Sequence, residues 1–353
     1  MNALATDSDR RVATWLLICC ALVFAMVVLG GVTRLTGSGL SMVDWRPVTG
    51  ILPPLTEQEW QQTFDLYRQS PEFQKINSAM DVDDFKGIFW LEYLHRLLGR
   101  SIGIVFLLPF LYFLWAGAIH KRDWPKYALM FVLGGLQGVL GWFMVKSGLV
   151  DNPHVSHYRL TAHLVAAIII YAYMFWVALS LMYPLPGGAR HPWFGRTIAL
   201  TAMISLTLVS GGFVAGLKAG KIYNTFPKMG DYWAPPGMFA LEPWWRNFFD
   251  NMVTVQFDHR ILAIGTFLLV CLYYLAIRRS GLPARLGKAV NALLHTAVLQ
   301  IALGISTLIL VVPTFLAASH QAVALLLFTV ALYLCHGLGT GDSPLSERGL
   351  SPS

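Results

Sequence analysis

The chain has 353 residues, of which 56% are hydrophobic and 13% are charged, and its formal net charge at pH 7 is +7. Soluble globular domains carry about 25% charged residues, so this composition excludes an ordinary soluble fold. The positive charge alone would suit a nucleic-acid-binding protein, but the basic residues are distributed in a way that indicates membrane topology instead, and no nucleic-acid partner is expected.

Eight apolar segments follow one another along the chain, and each is long enough to cross a membrane. A hydrocarbon core about 30 Å thick requires about 20 apolar residues in a helix. The sequence therefore predicts an all-α polytopic membrane protein. Its eight transmembrane helices are expected near residues 12–33, 90–116, 125–146, 158–182, 197–217, 253–277, 288–311 and 315–337.

The first apolar segment does not resemble a cleaved secretion signal, because it is long and lacks a small-residue cleavage motif after a short apolar core. The residues before it include Asp7 and Asp9, whereas organelle transit peptides are poor in acidic residues. We therefore expect a multi-pass protein of the bacterial cytoplasmic (inner) membrane.

Basic residues concentrate on one side of the predicted membrane. They occupy the amino terminus and the short connections after the even-numbered segments: Arg10, Arg11, Lys121, Arg122, Lys126, Arg190, Arg196, Arg278, Arg279, Arg285 and Lys288. Since cytoplasmic loops carry the excess of Lys and Arg, both termini are predicted to be cytoplasmic, with residues 341–353 as a flexible tail. The long outer loop over residues 34–89 contains TEQEWQQTFDLYRQSPEFQK, which has the pattern of a short amphipathic helix.

Similar motifs recur in the same order in the two halves of the chain. LGGVTRLTGSG resembles SGGFVAGLKAG, and LGGLQGVLGWFMV resembles AVLQIALGISTLIL. EYLHRLLGR matches QFDHRILAIG, and YRLTAHLVAA aligns with FLAASHQAVA. We predict two parallel four-helix-bundle repeats, over residues 1–185 and 186–340, related by an axis along the membrane normal.

Four histidines occupy corresponding positions in this predicted repeat: His95, His163, His259 and His320. Each lies within about two turns of the outer end of an even-numbered segment, about 10 Å along the helix. Each half therefore offers one imidazole from its second helix and one from its fourth, at matched depth. Helical bundles hold a haem between facing imidazoles in this manner. The pattern predicts a haem site in each half, with these histidines as axial ligands of the iron.

The same residues are also compatible with other roles. An intramembrane histidine can serve as a hydrogen-bonding group between helices. A metal site other than haem would add a carboxylate or sulfur donor, for which Glu92 and Asp258 are available. Arg96 and Arg260, which directly follow two of the histidines, can pair with haem propionates or extend toward lipid headgroups.

Through these motifs the chain resembles the heme A synthase family. The resemblance covers roughly residues 12–337 and is carried by GGVTRLTGSGLSMVDWRPVTG, EYLHRLLGR, HYRLTAHL, QFDHRILA and SHQAVA. It implies an eight-span oxidoreductase that oxidises the C8 methyl group of heme O to a formyl group, giving heme A for terminal oxidases. It also implies that His259 and His320 hold a resident heme B, and that His95 and His163 face the substrate haem.

The resemblance further implies, as partners, a farnesyltransferase that makes heme O and the assembly factors of the oxidase, and it is compatible with a homo-oligomer. It does not identify the electron acceptor. Some members of the family carry a cysteine pair in an outer loop, whereas all four cysteines here lie in or at the ends of apolar segments. The chain therefore resembles the subclass without that pair, and no thiol-based step in the outer loop is expected.

Glu92 is the candidate catalytic residue. It lies three residues before His95 and shares a helix face with it, whereas Gln256 holds the matching position in the second half. A carboxylate in this place can accept a proton or stabilise a cation during oxidation of the haem methyl group. It can also form only a salt bridge with Arg96, four residues later.

The residues alone leave two other functions open. One is a di-haem b-type cytochrome that passes electrons to or from a quinone, and the other is a haem-binding transporter or chaperone. An electron carrier would hold two permanent, equivalent haems, whereas a synthase would hold one resident haem and one that exchanges.

Overall fold

The computed structural model describes residues 5–44, 51–149, 153–184 and 190–339. Within these ranges the regular secondary structure is helical, and the only β-type pairing is an isolated bridge between Met229 and Tyr232.

Eight helices in the described ranges are long and apolar enough to cross a membrane. They are α1 (Asp7–Leu35), α4 (Val82–Trp115), α5 (Trp124–Lys146), α6 (His157–Met182), α7 (Phe194–Leu217), α9 (Met252–Ile277), α10 (Ala284–Ile309) and α11 (Thr314–Gly339). The connections contain α2 (Glu57–Arg68), α3 (Pro71–Lys75), α8 (Asn247–Asp250) and two short 3-10 helices, Ala219–Lys221 and Trp244–Arg246. Each long helix coincides with one predicted segment, so the prediction of an all-α polytopic membrane protein is confirmed.

Helix α4 begins eight residues earlier than the apolar pattern predicts. The side chain of Asp81 caps it by accepting hydrogen bonds from the backbone N–H groups of Asp83 and Asp84. Acidic residues in the first turn also stabilise the helix, because their negative charge interacts favourably with the helix dipole. With 34 residues and a rise of about 1.5 Å per residue, α4 is about 50 Å long. It therefore exceeds a hydrocarbon core of about 30 Å and continues beyond it.

Helix α2 packs on α4. Thr56 and Glu59 form a capping box at its start, and the backbone N–H groups of Leu55 and Thr56 hold the pKa of the Glu59 carboxyl group below its usual value. The apolar face of α2 and the amino-terminal part of α4 share an aromatic cluster of Trp60, Phe64, Tyr67, Phe85, Phe89 and Tyr93. The predicted amphipathic helix is therefore present and buries its apolar face.

The chain divides into two compact units. One spans Ile18–Tyr171, and in its described residues α5 packs on α4. The other joins Met1–Leu17 to Ala172–Ser353. In the described residues of this second unit, α7 and α10 each pack on both α9 and α11, so that these four helices form a closed bundle.

The two-repeat organisation stays a prediction. Its boundary between residues 185 and 186 lies outside the described residues, as do the tail over 341–353 and residues 45–50 of the predicted outer loop.

All four cysteines carry free thiols. Cys19, Cys20 and Cys335 are buried, and the Cys335 sulfur lies 3.2 Å from Oγ1 of Thr201 on α7. Buried cysteines of this kind pack as small apolar side chains.

Candidate functional site

The four predicted histidines form two pairs. His163, His259 and His320 follow the first residues of α6, α9 and α11 by six or seven residues, which is about 10 Å along each helix. In the Ile18–Tyr171 unit, His95 is close enough to His163 for the two imidazoles to interact electrostatically. The same holds for His259 and His320 in the other unit. In each unit, the two histidines that the sequence assigns to one half therefore lie within electrostatic range of each other.

In the first pair, each histidine ring lies against a glycine of a neighbouring long helix. A Cβ atom built on Gly30 of α1 would lie 3.2 Å from Nε2 of His95, and one built on Gly141 of α5 would lie 3.0 Å from Cε1 of His163. Contacts in the range of 3.0–3.4 Å are tighter than nine in ten real Cβ contacts. The rings therefore use space that a side chain on the glycine would need.

The second pair has the same arrangement. A Cβ atom on Gly211 of α7 would lie 3.2 Å from Cε1 of His259, and one on Gly304 of α10 would lie 2.8 Å from Cε1 of His320. Real Cβ atoms essentially never come closer than 3.0 Å, so the Gly304 position does not accept a side chain unless His320 moves.

These four glycines occupy matched positions in the recurring motifs. Gly30 and Gly211 share a place in LGGVTRLTGSG and SGGFVAGLKAG, and Gly141 and Gly304 share a place in LGGLQGVLGWFMV and AVLQIALGISTLIL. The histidines were predicted from sequence but these glycines were not, although the matched motifs contain them. A comparison of small residues between the recurring sequence motifs is the signal that would have found them.

A glutamine accompanies one histidine of each pair. Nε2 of Gln137 donates to the backbone carbonyl oxygen of His163 at 2.8 Å, and Nε2 of Gln300 lies 3.4 Å from Nε2 of His320. Oε1 of each glutamine and Nδ1 of each of these histidines are buried without a hydrogen-bond partner among the described residues. An unsatisfied buried polar atom destabilises the fold by about 1–3 kcal/mol. Both halves leave the same two kinds of atom, a glutamine Oε1 and a histidine Nδ1, without a partner among the described residues. This shared feature favours a site that receives a ligand.

The donor set suits an axially ligated haem better than a bare metal ion. A haem needs only one or two protein ligands for its iron, and each unit supplies a pair of imidazoles. Among the described residues, no group of three or more His, Cys, Asp or Glu side chains is arranged to hold a metal ion. Glu92 and Asp258 therefore do not complete such a site with the histidines.

Glu92 is buried, with 3% of its surface exposed, and both of its carboxylate oxygens accept hydrogen bonds. Oε2 accepts from Oγ of Ser41 at 2.7 Å and from the backbone N–H of Met42 at 2.9 Å. Oε1 accepts from Nε and Nη2 of Arg96 at 3.1 and 2.6 Å. Four donors suit an ionised carboxylate, which only accepts hydrogen bonds. The salt bridge between Glu92 and Arg96 is therefore present. The same carboxylate also accepts hydrogen bonds from Ser41 and Met42, which lie in the segment after α1.

Arg96 and Arg260 both bind backbone carbonyl groups of the connection that follows the first long helix of their half. Nη2 of Arg96 donates to Met42 at 2.8 Å. Nη2 of Arg260 donates at 2.8 Å to Tyr223, whose carbonyl oxygen also accepts from Nε2 of Gln256 at 3.0 Å. Nε of Arg260 is buried without an acceptor among the described residues. The role of both arginines toward haem propionates stays a prediction.

Ser210 of α7 also touches the second pair, and it is not among the residues predicted from sequence. Its Oγ lies 2.8 Å from Nδ1 of His259 and 2.8 Å from the carbonyl oxygen of Thr207 on the same helix. Leu29 stands at the matched position in the first half, so the first half lacks this hydroxyl group.

The family model for the cytochrome oxidase assembly protein COX15-CtaA matches residues 13–332. The chain belongs to this family. Its relatives include the heme A synthase of Nitrosospira multiformis, which is 54% identical over 94% of both chains. Proteins named heme A synthase COX15 from Arabidopsis thaliana and Homo sapiens are each 45% identical over 94% of this chain, and the alignments cover 75% and 83% of those relatives.

Membership in the COX15-CtaA family confirms the resemblance that the histidine motifs indicate. The matched range of 13–332 contains both histidine pairs, the four glycines that contact them and Glu92. The family therefore covers both candidate sites and not a single half of the chain.

Proposed function

We propose that this protein is a heme A synthase that oxidises the C8 methyl group of heme O to a formyl group. One observation carries the proposal: two histidine pairs, with each ring seated against a glycine, occur at matched positions in a chain of the COX15-CtaA family. Relatives that align with 94% of the chain bear the name heme A synthase.

In this proposal the second half holds a resident heme B. His259 and His320 would hold its iron through their imidazoles, and Arg260 has a buried Nε donor that could pair with a propionate. When bound, heme B supplies one-electron redox chemistry. The protein contributes the position of the two imidazoles and a surrounding of packed helices.

The first half receives heme O as substrate and releases heme A as product. His95 and His163 face the iron of the substrate, and their rings sit in the space left by Gly30 and Gly141. Because the product must leave, we expect this half to bind its haem less tightly than the second half.

Glu92 acts on the reacting methyl group in this proposal. Ser41, Met42 and Arg96 hold its carboxylate in one orientation before substrate binds, and a preoriented anion stabilises positive charge that develops during oxidation. A hydrogen bond that loosens during the reaction would also free an oxygen to accept a proton. Gln256 at the matched position cannot take a proton at ordinary pH, which suits a half that stores a haem.

We also propose that the protein resides in the bacterial cytoplasmic membrane with both termini in the cytoplasm. The eleven basic residues at the amino terminus and in the connections after even-numbered segments support this orientation. Heme O would then come from the farnesyltransferase that makes it, and heme A would pass to oxidase assembly factors.

Pigment analysis of the purified protein tests the proposed function. Protein extracted in detergent from cells that make heme O should contain heme B together with heme O or heme A, separated by chromatography after acid extraction. Cells without heme O provide the control and should yield protein with heme B alone. Two equivalents of heme B under both conditions would contradict the synthase and indicate a di-haem cytochrome.

A further inference from the structure

We propose that Ser210 is a positioning residue for His259. Its hydroxyl group holds the imidazole in the tautomer whose Nε2 is free to bind iron. This inference rests on the proposed function, in which His259 is an axial ligand of the resident heme B.

The direction of the hydrogen bond follows from the single hydrogen on the Ser210 hydroxyl group. Oγ donates this hydrogen to the carbonyl oxygen of Thr207 at 2.8 Å, because a carbonyl oxygen can only accept. Nδ1 of His259 lies 2.8 Å from the same Oγ, and both contacts are hydrogen bonds at once only when Nδ1 carries a hydrogen and donates it. A neutral imidazole has one ring hydrogen, and Nε2 therefore keeps the lone pair that binds a metal.

The glycine after Ser210 restrains the same ring by contact. A Cβ atom on Gly211 would lie 3.2 Å from Cε1 of His259, so the imidazole packs directly on the backbone of α7. Two consecutive residues thus act together: the serine selects the tautomer, and the glycine lets the ring approach.

The hydroxyl contact separates His259 from the other histidines. Nδ1 of His163 and Nδ1 of His320 have no hydrogen-bond partner among the described residues, and Leu29 replaces the serine in the first half. Metal-binding histidines usually donate their second N–H to an oxygen, which orients the ring and makes it a stronger donor. The hydroxyl contact therefore positions His259 in the second half, which is the half proposed to keep its heme B.

The test uses full-length protein purified with its haem and four variants of α7. Ser210→Ala removes the hydroxyl group, whereas Ser210→Thr retains it and Ser210→Val is the matched isostere of that threonine without it. Ser205→Ala is the control, because the Ser205 hydroxyl group donates to the carbonyl oxygen of Thr201 at 2.8 Å and the substitution leaves the histidine contact intact. The measurements are heme B affinity, reduction potential and the electron paramagnetic resonance spectrum of the ferric haem.

Ser210→Ala and Ser210→Val should lower heme B affinity about tenfold, the lower end of the effect seen for outer-shell partners of metal ligands. Their reduction potential should rise, because a weaker imidazole donor stabilises ferric iron less, and the ferric signal should broaden as the ring gains freedom. Ser210→Thr and Ser205→Ala should match the parent protein. Equal potentials and spectra for the threonine and valine variants would overturn the inference, even if the alanine variant folds poorly.

His259→Ala distinguishes this inference from the proposed function. That variant should lose heme B, because it lacks an axial ligand. Full retention of heme B in His259→Ala would refute the proposed resident site. Loss of heme B in His259→Ala, combined with parent-like Ser210 variants, would refute only the positioning role.

Discussion

Replacing Gly304 by alanine tests directly whether a glycine makes room for a haem-ligating histidine. The new Cβ atom would lie 2.8 Å from Cε1 of His320, whereas ordinary van der Waals contact begins at 3.4 Å. The difference is 0.6 Å, and the contact joins α10 to the neighbouring α11. Either the imidazole or one of these two helices must shift by about this distance, which exceeds the tolerance of about 0.5 Å for a functional constellation.

Two effects of opposite sign determine the stability of Gly304→Ala. Alanine in place of a helical glycine stabilises a helix by about 0.5–1 kcal/mol. Overpacking costs about 1–3 kcal/mol. The steric cost is the larger effect, so the net destabilisation should reach up to about 2.5 kcal/mol. Because the displaced group is the proposed ligand itself, we expect heme B affinity to fall at least about tenfold.

Gly287→Ala is the matched control, since Gly287 lies on the same helix and its built Cβ atom has no described heavy atom within 4 Å. This variant should keep its heme B and show equal or slightly higher thermal stability, because only the helix-propensity gain applies. The assay compares heme B per protein, from the pyridine haemochrome spectrum, with the unfolding temperature in detergent. Equal heme B content in the two alanine variants would refute the steric reasoning.

Three further predictions concern the proposed division of labour and the topology. His259→Ala should empty the resident haem site, whereas His95→Ala should keep most of the heme B and block conversion of heme O; equal loss of heme B from both would contradict the division. Glu92→Gln should keep the fold and heme B yet accumulate heme O or a part-oxidised haem, because an amide presents an N–H group where the carboxylate accepts hydrogen bonds; a normal heme A yield would rule out the catalytic role. A reporter enzyme fused after Ser353 should be active in the cytoplasm, and activity confined to the periplasm would reverse the assigned orientation.

The apolar segments of the sequence predict the eight helices, and the recurring motifs predict the two histidine pairs. In a lipid core the backbone N–H and C=O groups must satisfy one another within the segment, so about 20 apolar residues in a row predict a helix with little competition from other structures. Histidine is rare in such segments, and a match between His95 and His259 in surrounding sequence as well as spacing is therefore informative. Local pattern and the chemistry of the solvent were sufficient for these conclusions.

Where α4 begins could not be read from hydropathy, because the apolar run near residue 90 marks where the membrane starts and not where the helix starts. The cap at Asp81 and the aromatic surface provided by α2 extend the helix outward. Packing against a neighbouring helix, and not the apolar pattern, determines this boundary.

The environment of each site residue was likewise decided by the tertiary structure. From spacing alone, Glu92 had one expected partner, Arg96, but the fold adds donors from Ser41 and Met42 about fifty residues earlier in the chain. The contact between Ser210 and His259 joins residues 49 positions apart. Sequence periodicity specifies which face of a helix a side chain occupies, whereas the atoms that meet it depend on how neighbouring helices are rotated and packed, and this is determined only when the whole bundle assembles.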